Sequence, residues 1–129
     1  MKATKMTREL TSHKINGLNE AIQINALDEP GHGNAHHEYQ ISFGAPNRIG
    51  QVKTAIRFQN GPIQETGPNG ISNEALLAIV EDRLQGFQSS QYACRENAIA
   101  LTKIQEAMMW LQKRTRDRIT RGVEGTHQK

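Results

Sequence analysis

Residues 72–118 read SNEALLAIVEDRLQGFQSSQYACRENAIALTKIQEAMMWLQKRTRDR, and this stretch decides the fold class. Ser72 or Asn73 is a suitable N-cap, and Glu74 lies in the first turn, where the helix dipole favours an acid. Apolar residues then recur at helical spacing: Leu76, Leu77, Val80, Leu84 and Phe87. The pattern predicts a first helix that runs to about Gln88, where Ser89 and Ser90 end it.

A second, longer helix is predicted to begin near Tyr92 or Ala93, since no glycine or proline follows before Gly122. One stripe repeats every three or four residues: Ala93, Asn97, Leu101, Ile104, Met108, Leu111, Thr115 and Arg118. The middle of this stripe is apolar and its ends are polar, which is typical of antiparallel packing against another helix. We therefore expect a two-helix hairpin whose longer arm ends in a basic segment.

In the residues before the hairpin, apolar side chains recur at every second position instead of every third or fourth. Asn19–Leu27, His37–Phe43 and Lys53–Gln59 alternate between apolar and polar side chains, as antiparallel strands with one buried face do. Asn60-Gly61 is a hairpin-turn signal, and Pro62 restricts Ile63–Glu65 to an edge strand. The expected fold class is α+β, with a small N-terminal antiparallel sheet followed by a long two-helix hairpin.

Size and composition favour one small domain. The expected organisation of residues 1–129 is a β part over 19–66, a hairpin over 72–119, and arms at 1–18 and 120–129. Residues 1–18 show no clean period, which fits either a short helix or a mobile arm. With 36% apolar residues the core is small, so oligomerisation is a natural way to bury more surface. The basic N-terminus lacks the apolar region of a secretory signal, and the single cysteine favours a reducing cytoplasm.

Positive charge is concentrated at the C-terminal end, where residues 113–129 carry six Lys or Arg against two acids. A nucleic-acid binder usually spreads its basic residues over a face. A local surplus suits a small anion at least as well as a polymer.

Catalytic and metal-binding sets are not evident in the sequence. His32, His36 and His37 share a glycine-containing loop without a HExxH or CxxC motif, so a solvated loop is favoured over a metal site. Cys94 lies beside Arg95 but has no histidine near it in sequence, which favours a small buried thiol. We therefore expect neither an enzyme nor a resident cofactor or metal.

Arg114 and Arg118 lie four residues apart on one predicted helix face. Two adjacent guanidinium groups match a diphosphate. Cations at a helix C-terminus also complement its dipole, and the spacing alone does not separate these interpretations.

Phe87 and Asn97 flank the predicted turn of the hairpin. Phe87 fits a core position by residue type, while Asn97 on the apolar stripe either fixes the register of a helix pair or reads a base edge. Asn97 and Arg118 are 21 residues apart, or roughly 30 Å along one helix. A mononucleotide-sized ligand that contacts both groups needs two antiparallel chains, which predicts a dimer.

Several segments resemble the phage anti-Thoeris sponge family. They are Ile56–Ile63, Asn69-Gly70, Leu76–Leu84, Cys94–Leu111, Arg114–Arg118 and Gly122–Thr126. The resemblance covers about residues 19–126 and is most specific in the hairpin. The hairpin is also similar to the phage anti-CBASS sponge that binds cyclic dinucleotides.

The resemblance implies a phage protein that sequesters a cyclic ADP-ribose isomer, glyco-cyclic ADP-ribose, without cleaving it, in the cytoplasm of the infected bacterium. It implies a dimer, or a hexamer built as a trimer of dimers with extra sites for cyclic di- or trinucleotides. Phe87 would stack on the adenine, Asn97 would hydrogen-bond the ligand, and Arg114 and Arg118 would hold the diphosphate. Weaker candidates are Arg57, Arg95, Arg121 and Thr126.

Two other classes remain open from the residues themselves. A small dimeric nucleic-acid-binding protein would bind with a steep dependence on salt. A structural phage protein would lose only solubility when Arg114 and Arg118 are replaced. An enzyme that degrades the signal is least favoured, because no convincing acid or nucleophile lies near the basic end.

Overall fold

A computed structural model describes residues 8–46 and 49–129, without the side chain of His32. The chain divides into two compact units, residues 1–61 with 68–71, and residues 62–67 with 72–129. Both the sheet and the helical hairpin are present, which confirms the α+β prediction. That the chain behaves as a single domain stays a prediction.

The described part of the first unit contains a four-stranded antiparallel sheet in the order β1-β2-β3-β4. Its strands are β1 (Arg8–Leu10), β2 (Gln23–Ala26), β3 (Glu38–Gly44) and β4 (Gln51–Arg57). The register places Ile24 opposite Ile41 and Tyr39 opposite Ile56. The alternating segments thus pair as antiparallel neighbours, as their period predicts.

Two predictions at the start of the chain are wrong. Residues 8–10 of the expected arm form the edge strand β1, and residues 1–7 lie outside the described chain. The expected strand over Asn19–Leu27 is divided between a helical turn, α1 (Gly17–Ala21), and β2. Asn16 caps α1 by accepting a hydrogen bond from the Asn19 N–H at 3.0 Å, and this local cap outweighs the alternation that follows it.

The loop before β3 is organised by Asp28. Its carboxylate accepts hydrogen bonds from the backbone N–H groups of His37 at 2.9 Å and Glu38 at 3.2 Å. Burial acts to raise the pKa of this carboxyl, but these hydrogen bonds and the nearby His36 outweigh it and lower the pKa below its ordinary value. His37 is buried, so the expectation of a solvated histidine loop is wrong at that residue.

The predicted hairpin turn at Asn60-Gly61 and the edge strand at Ile63–Glu65 are also wrong. After β4, Phe58 forms an isolated parallel bridge with Ile71. The segment after Pro62 is a helical turn, α2 (Ile63–Thr66), whose Thr66 hydroxyl donates to the Pro62 carbonyl at 3.0 Å. Proline is well suited to the start of a helix because its missing N–H would have no intrahelical partner there.

The second unit contains the predicted hairpin. Helix α3 (Asn73–Gln88) begins after Ser72, whose hydroxyl accepts from the Ala75 N–H at 3.1 Å, as the N-cap prediction requires. Helix α4 (Arg95–Thr120) begins two or three residues later than predicted, with Cys94 as its N-cap. The Cys94 thiol is exposed and its sulfur accepts from the Asn97 N–H at 3.4 Å, so the expectation of a buried thiol is wrong.

The two long helices contact each other, and the less exposed positions of α4 follow the predicted stripe. Its half-buried members on α4 are Asn97, Leu101, Ile104, Met108, Leu111 and Thr115, and Arg118 at its end is buried. Ala93 lies before the helix and is exposed. Among the described residues no large side chain is fully buried.

Candidate functional site

The C-terminal half of α4 carries a groove of about 560 Å³, which we call the basic groove. Its wall consists of Trp110, Lys113, Arg114, Asp117, Arg118, Arg121 and Lys129. The helical members recur every three or four residues, so they lie along one face of α4. Five of these seven side chains are cationic, and the groove therefore suits a phosphate-bearing ligand.

Arg114 is exposed in the wall of this groove. Its neighbour Lys113 forms an ion pair with Asp117, with Nζ and Oδ2 2.7 Å apart. Trp110, which is 65% exposed, adds an aromatic surface beside these charges. A cation and an aromatic ring side by side can contact the phosphate and the base of a nucleotide respectively.

Arg118 lies in the same wall but in a different environment. Its side chain is 9% exposed, and Nε donates to a carboxylate oxygen of Glu124 at 2.9 Å. The backbone carbonyls of Val123, Thr126 and Gln128 accept its remaining hydrogen bonds. The two arginines that the sequence places on one face therefore differ in how much of the guanidinium a ligand can reach.

The opposite end of the hairpin carries a smaller pocket of about 370 Å³, which we call the turn pocket. Arg83, Gly86, Phe87, Ser90 and Tyr92 line it. Phe87 is 40% exposed, and the Arg83 guanidinium carbon lies 5.6 Å from the centroid of its ring. Because the Phe87 ring is partly exposed while Arg83 lies over it, the ring can also stack on the base of a ligand.

Asn97 is the third residue of α4, in its first turn, and is half-buried at the end of the stripe. It is thus near the turn of the hairpin, as predicted, while Arg114 and Arg118 lie in the last third of α4. From Asn97 to Arg118 the helix rises by roughly 30 Å. Within one chain the structure does not bring the two groups together.

The weaker candidates are scattered. Arg57 is exposed and lies 3.6 Å from a carboxylate oxygen of Glu38, in a pocket of about 200 Å³ in the first unit. Arg95 is an exposed residue at the start of α4, and Arg121 lines the basic groove. The Thr126 hydroxyl donates to the Val123 carbonyl, and its own carbonyl accepts from Arg118.

Sequence reasoning missed Trp110, Lys113, Asp117 and Lys129 as groove residues, and Glu124 as the partner of Arg118. Trp110 and Asp117 lie four and three residues from Arg114, and Lys113 lies four residues from Asp117, which places them on the same helix face. This exposed face could therefore have been identified from the sequence pattern. Lys129 and Glu124 lie on the C-terminal segment, whose return to α4 has no local sequence signal. The sequence predicts an arm over residues 120–129, and in the structure part of that segment contacts Arg118.

Metal-binding clusters and membrane spans were also sought in the described chain. Over residues 8–46 and 49–129, no group of three or more His, Cys, Asp or Glu side chains is arranged to hold a metal ion. No helix in those residues combines the length and the hydropathy that crossing a bilayer requires.

A family model described as the Acb2/Tad1 hairpin domain matches residues 50–116, which is just over half of the chain. The chain belongs to the Acb2/Tad1 hairpin family. This match confirms the resemblance drawn from the hairpin sequence. It spans β4, α2, α3 and most of α4, and so includes Phe87, Asn97 and Arg114, while Arg118 lies just beyond it.

A curated relative of this family is Thoeris anti-defense 1 from Bacillus phage SBSphiJ7. The two proteins are 60% identical over 74 residues, which cover 57% of this chain and 52% of the relative. The chain thus spans about half the length of the curated relative that it matches.

Proposed function

We propose that this protein is a phage anti-defence protein that binds and sequesters a cyclic ADP-ribose isomer, glyco-cyclic ADP-ribose, without cleaving it. Sequestration would keep the Thoeris signal from its effector. The observation that carries the proposal is the basic groove on α4, with Arg114 exposed in its wall, in a hairpin of the Acb2/Tad1 family. The name of the phage relative, Thoeris anti-defense 1, supports the same role.

In the proposed complex one ligand contacts two chains. Phe87 stacks on the adenine and Asn97 hydrogen-bonds the ligand from one chain. The basic groove of the second chain, with Arg114 and Arg118, holds the diphosphate. The roughly 30 Å between Asn97 and Arg118 along α4 supports this division, because a ligand of this size cannot span that distance.

Exposed apolar side chains on the hairpin support a second copy as the partner. Large apolar residues on both helices are between 40% and 65% exposed: Ile79, Val80, Phe87, Ile99, Met109, Trp110 and Ile119. Together with the absence of a fully buried large side chain among the described residues, they indicate surface that association would cover. We propose a homodimer, with a hexamer of three dimers as the larger assembly that the family resemblance implies.

The proposed activity is binding alone. Sequestration needs a slow release of ligand rather than a general acid, a base or a nucleophile. In the basic groove the carboxylate of Asp117 is exposed and paired with Lys113, so it is poorly placed to act as a proton donor. Cyclic di- or trinucleotides are further candidate ligands, with Arg121 and Thr126 as the candidate contacts for them. Arg57 and Arg95 remain weaker candidates for contacts with the nucleotide signal.

Isothermal titration of the full chain with glyco-cyclic ADP-ribose tests the proposal. We expect binding at micromolar concentration or tighter, and recovery of the ligand with unchanged mass after the complex is denatured. Absence of binding, or recovery of a cleaved product, would overturn it. A DNA or RNA oligonucleotide titrated over a range of salt concentrations serves as the comparison, since a nucleic-acid binder would show the steeper salt dependence.

A further inference from the structure

The C-terminal segment Gly122–Gln128 encloses the guanidinium of Arg118. A guanidinium has five N–H donors, and four of them are used here. Nε donates to Glu124, Nη2 donates to the carbonyls of Val123 and Thr126, and Nη1 donates to the carbonyl of Gln128. One N–H, on Nη1, is left for a group in the basic groove, where Arg118 forms part of the wall.

This segment is itself held in place by α2. The backbone N–H of Gln64 donates to the Gly125 carbonyl at 2.8 Å, and its side-chain amide donates to the Glu124 carbonyl at 2.8 Å. His127 Nδ1 lies 2.7 Å from a carboxylate oxygen of Glu65. Glu124 is therefore fixed through its backbone on α2 while its side chain meets Arg118.

We propose that Glu124 is a positioning residue that orients Arg118 in the wall of the basic groove for a phosphate group. The inference rests on the proposed function, because it assigns how one cation of that site is prepared. An arginine held by four acceptors has lost its rotamer freedom before a ligand arrives, so less entropy is lost on binding. The positive charge and the remaining N–H are then presented in one orientation.

A substitution that removes the charge of Glu124 distinguishes this role from a purely electrostatic one, because the two predict opposite changes in anion affinity. A carboxylate beside a basic groove repels an anion, so its removal should strengthen anion binding if charge alone matters. A positioning role predicts the opposite, because Arg118 becomes free to leave its orientation. Asp117 provides a matched control, since it lines the groove, is 60% exposed and pairs with Lys113 rather than Arg118.

The experiment titrates inorganic pyrophosphate into the wild-type chain, Glu124→Gln and Asp117→Asn at one ionic strength. We expect Glu124→Gln to weaken binding by roughly tenfold, the lower end of what a hydrogen bond to a charged group contributes. Asp117→Asn should strengthen binding. In an Arg118→Lys background, Glu124→Gln should no longer weaken binding, because the group that it positions is gone and only the loss of repulsion remains.

A spectroscopic readout accompanies the titration. A buried, hydrogen-bonded arginine should give an Nε–H resonance that is protected from solvent exchange, and Arg118 should supply it. Glu124→Gln should move this resonance toward those of exposed arginines, and Asp117→Asn should leave it in place. If Glu124→Gln does not fold, Glu124→Asp keeps the charge but shortens the reach by one carbon, and positioning predicts that it too weakens binding.

Unchanged or tighter pyrophosphate binding by Glu124→Gln would overturn the inference, and so would a wild-type chain that does not bind pyrophosphate. The proposed function is tested separately by glyco-cyclic ADP-ribose. If pyrophosphate gives the expected order of affinities while that nucleotide fails to bind, the positioning role stands for another phosphate ligand and the proposed function does not.

Discussion

At the scale of single residues, environment separates two arginines that the sequence treats alike. Arg114 and Arg118 are four residues apart and share a helix face, which is all that spacing establishes. Arg118 is buried by the segment that follows the helix, while Arg114 stays exposed in the basic groove. We therefore expect Arg114 to make the more extensive contact with a ligand and Arg118 to act from a fixed position.

Replacement of Arg114 tests this assignment. Arg114→Ala should weaken binding of glyco-cyclic ADP-ribose by roughly tenfold to a hundredfold, because a charge-assisted hydrogen bond to phosphate is lost. Arg116→Ala is the matched control, since it removes the same charge from an exposed position of α4 that does not line the groove. Isothermal titration of both variants measures the difference. Equal losses would mean that net charge, and not the groove, determines affinity.

At the scale of elements, the sequence predicted the long helices well because their signals are local. The cap at Ser72 and the apolar stripe on α4 each lie within a few turns of the element that they define. The short elements β1 and α2 were predicted poorly, because neighbours distant in sequence contact them. Arg8 pairs with Ala26 to form β1, and Gln64 of α2 binds Gly125, contacts that no local pattern contains.

The same limit applied to the candidate site. Phe87, Asn97 and Arg114 could be identified because they stand at the ends of a helical pattern. Glu124 could not, because its role depends on a chain reversal after α4 that brings it back to Arg118.

Two glycines show how differently one residue type can act in these elements. A Cβ on Gly70 would lie 2.3 Å from the backbone carbon of Phe58, where the chain forms its parallel bridge. A Cβ on Gly86, inside α3, would meet nothing within 4 Å. Gly70→Ala should therefore destabilise the protein by roughly 3 kcal/mol or more, because the obstructing atoms are backbone. Gly86→Ala should stabilise it by about 0.5–1 kcal/mol, because alanine favours the helix.

Urea unfolding followed by circular dichroism measures both changes, with the wild-type chain as reference. The two variants add the same methyl group, so a shared effect of added apolar surface cancels in the comparison. Similar unfolding midpoints for both variants would show that the close approach of Gly70 to Phe58 does not constrain the fold.

At the scale of the whole molecule, the proposed site needs contacts from a second chain. The turn pocket and the basic groove belong to opposite ends of one hairpin, and each holds only part of the proposed contacts. The exposed apolar side chains on α3 and α4 give association a driving force. The sequence predicts a dimer through the distance from Asn97 to Arg118. It does not define the interface, because the interface depends on how the surfaces of two folded chains fit together.

Complementation between two inactive variants tests the shared site. Phe87→Ala damages the turn pocket and Arg114→Ala damages the basic groove, so each homodimer carries two defective sites. A mixed dimer of the two places both defects in one site and leaves the other intact. After unfolding and refolding of an equimolar mixture, about a quarter of all sites should therefore bind with wild-type affinity, as random pairing in a symmetric dimer requires.

The matched control mixes Phe87→Ala with Asn97→Ala. Both substitutions lie at the turn end of the hairpin, so every site in a mixed dimer still carries one defect and no recovery is expected. Titration with glyco-cyclic ADP-ribose gives the number of high-affinity sites in each mixture. If one chain supplied the whole pocket, neither mixture would recover, because each chain would keep its own defect. Recovery in the first mixture alone therefore requires that the ring of one chain and the arginine of the other meet at the same ligand.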